Sequence, residues 1–161
     1  MKAEADVKGE ADMGEAQNPG GSFSLMLVVP LAALVLLVVV LLIWPDLLIG
    51  ASLGDFLIVT VLLGGGTAWL TGKAVARGWG PYSHLVLYSL LLAGAVRFCH
   101  FALFGDTLAS LEPALVEFVL LLAIATLGFR ALRRRQMTHQ YDWMFEPAGP
   151  LAWRARTGGP R

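Results

Sequence analysis

Residues 85–104, LVLYSLLLAGAVRFCHFALF, form a 20-residue apolar stretch with an arginine and a histidine inside it. At roughly 1.5 Å per residue, a helix of that length crosses the hydrocarbon of a bilayer. Arg97 and His100 therefore stand where water is scarce. A guanidinium in hydrocarbon costs about 2.5–3.5 kcal/mol even on insertion-based scales, so it needs a partner or a wet path. Any fold open to this chain has to settle that charge.

Three more apolar runs accompany the first, at residues 23–44, 56–71 and 114–129. Charged residues make up 15% of the chain and apolar ones 57%, whereas soluble domains carry about 25% charge. The expected fold is an all-α membrane protein with four transmembrane helices in a small bundle over residues 23–129. Residues 1–22 hold five carboxylates, two lysines and almost no large apolar side chain. Such a segment buries too little surface to fold and reads as a disordered acidic tail. The run at 23–44 is longer than a signal-peptide core and follows acidic rather than basic residues, so it reads as an uncleaved span. Pro30 falls in its early turns, where a kink is tolerated. The lone cysteine, Cys99, excludes an intrachain disulfide and reads as a small apolar filler.

The connections carry their own signals. Asp55 directly precedes the second run, a position suited to an N-cap. Ser110 is a candidate cap for the fourth helix, with Glu112 and Pro113 in its first turn. Gly64, Ala68 and Gly72 recur every fourth residue, a small-residue stripe that lets a neighbouring backbone come close. Lys plus Arg number two before the first run, none at 45–55, two at 72–84, none at 106–113 and seven at 130–161. Basic flanks stay in the cytoplasm, so both termini and the 72–84 loop are expected there. Past Phe129, Met137, Tyr141, Met144 and Phe145 fall on one helical stripe, which predicts a basic amphipathic helix to about Phe145. Pro147, Gly149 and Pro150 then break it. Arg133, Arg134, Arg135, Tyr141, Trp143 and Trp153 are the residues expected to meet anionic headgroups or a docked partner. Arginines immediately after a span anchor it against anionic lipid, which argues against nucleic acid as the partner.

The intramembrane arginine has an evident partner. Arg97 lies about seven residues, roughly 10 Å, from the end of its run, and Glu117 about four residues, roughly 6 Å, from the start of the next. A short loop makes these two helices antiparallel neighbours, so both charges occupy the same half of the bilayer. A guanidinium–carboxylate contact satisfies both groups, with His100 one turn from Arg97 on the same face. Asp46, Asp55, Asp106, Glu112 and Glu117 gather on that side too. They are open to two readings: a cation or proton site, or negative charge favoured at helix starts. Phosphate-binding loops, CxxC pairs and His-x-x-x-His spacings are absent from the sequence, so no cofactor or metal is expected and enzymatic chemistry is disfavoured.

The segments GGGTAWLTGKAVARGW, AVRFCHFALF and FRALRRRQMTHQYDWMFEP with GPLAWR resemble a family of small alphaproteobacterial inner-membrane proteins known as a domain of unknown function. The resemblance covers about residues 50–156. It implies a bacterial cytoplasmic-membrane location and an association with genes for branched-chain amino acid ABC transporters. It transfers no site residues. The expected function is a non-enzymatic accessory subunit of a membrane complex, with a protein partner or a second copy in the bilayer. The competing expectation is a small oligomeric transporter or channel with Arg97, His100 and Glu117 along its path.

Overall fold

A computed structural model describes residues 19–43, 52–105 and 111–156, with side chains of the first helix described from Met26 onward. Residues 1–18 of the tail expected at 1–22, the carboxylates Asp46 and Asp106, and the cap at Ser110 lie outside the described residues. Four helices are long and apolar enough to cross a membrane: α1 Pro19–Ile43, α2 Leu53–Arg77, α3 Tyr82–Phe104 and α4 Leu111–Gln140. Two short antiparallel strands follow, β1 Phe145–Pro147 and β2 Trp153–Ala155.

Several boundaries differ from the sequence reading. The described part of α1 runs from Pro19, inside the stretch assigned to the acidic tail. Ser52, not Asp55, caps α2: its Oγ accepts from the Asp55 N–H at 3.2 Å, and Asp55 occupies the first turn. Glu112 and Pro113 do occupy the first turn of α4. That helix runs well past the apolar run but stops at Gln140, so Tyr141, Met144 and Phe145 leave the expected helical stripe. The chain turns there and returns as a hairpin, which makes the fold helical with a small β appendage rather than purely helical. Phe145 pairs with Ala155, and Pro147 with Trp153. Gly149 in the hairpin loop has φ 148°, a backbone conformation that side-chain-bearing residues rarely adopt.

The core lies among α2, α3 and α4, where Val59, Ala68, Leu85, Val96, Leu121 and Ala125 are buried together. The α2–α4 contact is the most extensive in the fold. Its reason is glycine. A Cβ on Gly128 would stand 2.5 Å from the Trp69 carbonyl oxygen. One on Gly72 would run into the Ala125 carbonyl and come within 2.8 Å of the Phe129 nitrogen. Backbone thus packs on backbone, as small residues allow in membranes, where dispersion contacts rather than water exclusion drive helix association. Ala68 is fully buried in the same seam, and a Cβ on Gly64 would come 3.1 Å from the Leu121 and Val96 side chains. All three members of the small-residue stripe therefore face neighbours in this chain.

α1 is different. It packs against α4, and Pro30 alone is buried among its described side chains. A cavity of about 410 Å³ lies between it, α2 and α4, lined by apolar side chains such as Leu37, Leu41, Phe56 and Leu120.

Candidate functional site

Two polar assemblies sit at opposite ends of the bundle. The first is near the end where α2 starts and α3 finishes. Helical spacing puts Ser89, Ala93, Val96, Arg97 and His100 on the buried face of α3, at steps of three and four. Across from it, Glu117 is buried on α4 and Thr60 on α2. Arg97 Nη1 lies 3.7 Å from Glu117 Oε1, and His100 Nε2 lies 3.7 Å from the same oxygen. His100 Nε2 is also 2.9 Å from Thr60 Oγ1. Thr60, Arg97, His100 and Glu117 are 0%, 5%, 4% and 3% exposed, so the charges are held by one another rather than by bulk water. Removing one partner of such a pair costs about 3–5 kcal/mol, because it strands the other.

Thr60 gives no sign in the sequence. A single threonine in an apolar run reads as filler, and only the meeting of α2 with α3 gives it a role. It sits in a π-helical stretch, Phe56–Gly64, where Gly65 N–H bonds back to the Thr60 carbonyl. Wide turns of this kind recur at functional sites in helices.

The second assembly ties together the end that carries the arginines. Arg133 stacks its guanidinium over Trp79 at 4.5 Å and over Phe129 at 5.1 Å, and donates to the Gly80 carbonyl at 3.3 Å. Trp79 has φ 54°, a left-handed conformation costly for a bulky residue, and such strain persists only where neighbours hold it. Arg133 and the edge-on ring of Tyr141, at 6.3 Å, are those neighbours. Arg130 donates to the Leu151 carbonyl at 3.3 Å and lies 5.5 Å from the Trp153 ring, which pins the hairpin to α4. The Arg156 N–H closes on the Met144 carbonyl at 2.8 Å. Tyr82 hydroxyl bonds Thr126 Oγ1 at 2.9 Å; since Thr126 donates its only hydroxyl proton to Leu122, Tyr82 is the donor.

The residues expected to meet headgroups or a partner thus divide. Arg133 and Trp153 are largely used inside the molecule, and Arg134 is half-buried. Arg135, Tyr141 and Trp143 are exposed. Sequence alone hid this division, because successive arginines on a helix point in different directions and remote partners decide which are covered: the Trp79–Gly80 turn and Phe129 for Arg133, the hairpin for Arg130. Among the described residues, no group of three His, Cys, Asp or Glu side chains is arranged to hold a metal ion.

Four spanning-length helices, three of which enclose a buried ionic cluster, define a multi-pass helical membrane protein. Residues 51–156 match the family described as a domain of unknown function, DUF6867, and the chain belongs to that family. The matched segment takes in α2, α3, α4 and the hairpin. It leaves out α1, the helix with least burial. No match is found among curated proteins or among solved structures.

Proposed function

We propose that this protein is a non-enzymatic accessory subunit of a complex in a bacterial cytoplasmic membrane, with both termini in the cytoplasm. The complex we have in mind is an amino-acid ABC uptake transporter, following the resemblance set out above. The observation that carries the reading is the pinned hairpin. A chain end that served only to touch lipid needs no fixed shape. Here Arg130 and the Met144–Arg156 bond tie the hairpin down, while Tyr141, Trp143 and Met144 remain 38%, 60% and 39% exposed. Exposed aromatics on a pinned support are the composition of an interface hot spot, since little side-chain entropy is left to lose on docking. The alternation of basic residues supports the cytoplasmic placement of that surface, where an ATP-hydrolysing subunit would be met.

A photo-crosslinking side chain placed at Trp143 in intact membranes tests this reading. The expected product is an adduct with a transporter subunit, absent when the probe stands at the outward-facing Leu91. Adducts with lipid alone would refute it. The convergence of Arg97, His100 and Glu117 supports a second reading, a small oligomeric transporter or channel. Neutralising all three would then abolish flux in proteoliposomes while leaving assembly intact.

A further inference from the structure

In hydrocarbon, Arg97 and Glu117 already cancel each other's charge, so neutrality does not call for a third ionisable group. His100 is nevertheless buried beside them, and burying an imidazole is costly unless its nitrogens are satisfied. The partner of its Nε2, 2.9 Å away, is the Thr60 hydroxyl. A hydroxyl serves both forms of the ring: it donates to a bare nitrogen and accepts from a protonated one. A backbone carbonyl serves Nε2 only while that nitrogen carries hydrogen, and an ammonium group only while it is bare. The second neighbour is Glu117 Oε1, which stands 3.7 Å from both His100 Nε2 and Arg97 Nη1. From there, a movement of less than about 1 Å toward either cation makes a charge-assisted hydrogen bond of about 2.8 Å.

We propose that His100 is a reversible proton-binding site. Thr60 Oγ1 donates to Nε2 when the ring is neutral, and the Glu117 carboxylate moves toward Nε2–H when it is charged. The proton comes from water and returns to it; His100 lies four residues, about 6 Å of helix, from the end of α3 at Phe104. Among the described residues, the groups placed against the ring include Arg97 on its own helix, Glu117 from α4, the Thr60 hydroxyl from α2 and the Phe104 ring at 5.8 Å. The described side chains of α1 include no ionisable group. Proton uptake takes the Arg97–His100–Glu117 set from net zero to one positive charge. Histidine is the side chain whose unperturbed titration falls at physiological pH, which makes it the member of the set able to carry the change. The inference rests on this geometry and not on the accessory-subunit reading.

The test uses the full chain in lipid nanodiscs. His84 and His139 are exposed, and replacing them (His84→Gln, His139→Gln) leaves His100 as the one imidazole of the chain's three. Nitrogen-15 NMR of the labelled ring, from about pH 4 to pH 9, reads its protonation state directly. The expected result is a reversible passage between neutral and charged signals. Thr60→Val moves the midpoint by at least about half a pH unit, and Thr60→Ser restores it. A ring that keeps one state over the whole range overturns the proposal. So does a midpoint that Thr60→Val leaves in place.

Discussion

Gly72→Ala is the substitution for which the structure sets two opposing effects against each other. Alanine is the better helix former by about 0.8–1 kcal/mol, so an unpacked site would gain stability from the change. Against that stands the α4 backbone. The new Cβ would come 2.8 Å from the Phe129 nitrogen and closer still to the Ala125 carbonyl, where ordinary contact begins at 3.4 Å. Both obstacles are main chain in the middle of a helix, so the two helices must separate along the whole seam rather than one side chain turning aside. Overpacking of this kind costs about 1–3 kcal/mol, with rigid backbone at the upper end. The net expectation is a loss of about 2 kcal/mol, overpacking winning over propensity. Gly66 and Gly94 supply the control, because nothing lies within 4 Å of a Cβ at either place. Gly66→Ala and Gly94→Ala are expected to be neutral or stabilising by up to about 1 kcal/mol. Equilibrium unfolding of the full chain in mixed micelles, followed by far-UV circular dichroism, measures all three. If Gly72→Ala matches the parent protein, or Gly66→Ala is equally damaging, the backbone-on-backbone account of the α2–α4 seam is wrong.

The other expectations concern the polar assemblies. Arg97→Gln and Glu117→Gln each strand a buried charge and should cost about 3–5 kcal/mol, read as lost accumulation in the membrane. The exchange Arg97→Glu with Glu117→Arg should recover part of it; no recovery would count against the pair. Arg133→Lys keeps the charge but loses the flat stack on Trp79 and Phe129, for an expected loss of about 1–2 kcal/mol in thermal unfolding. Exposed Arg135→Lys should change nothing measurable in the same assay. Tyr82→Phe removes one hydrogen bond between helices, and about 0.6 kcal/mol is the expected loss by the same unfolding measurement. A much larger value would mean that the Tyr82–Thr126 bond is part of a wider network.

The resemblance to an uncharacterised family was legible in the motifs at 64–79, 95–104 and 129–154, and the match at residues 51–156 falls on the same ground. It brought no chemistry with it, so the candidate site had to come from side-chain placement. Arg97, His100 and Glu117 could be read out of the chain because charge inside an apolar run is conspicuous. Thr60 could not, because its neutral hydroxyl leaves no mark on hydropathy. The helix expected to reach Phe145 shows the limit from the other side. The spacing of Met137, Tyr141, Met144 and Phe145 permits a helix, but the chain gains more by turning back, where Arg130 reaches the Leu151 carbonyl and the Trp153 ring. Periodicity registers what a segment can do alone and is blind to a carbonyl 21 residues away.

By itself, then, the sequence determined four spanning-length helices, because unbroken apolar runs in a low-dielectric solvent leave the backbone no other way to bond its own polar groups. It also determined that a buried cation and a buried acid would have to be accommodated. Tertiary structure alone decided which surfaces meet. It set Gly72 and Gly128 against the opposing backbones, brought Thr60 to His100, drew Arg133 under Trp79 and folded the chain end into a hairpin. Those outcomes depend on distances between helices, which are set by side-chain shape at contacts remote in the chain. Hydropathy and helical period, being local averages, carry no record of them.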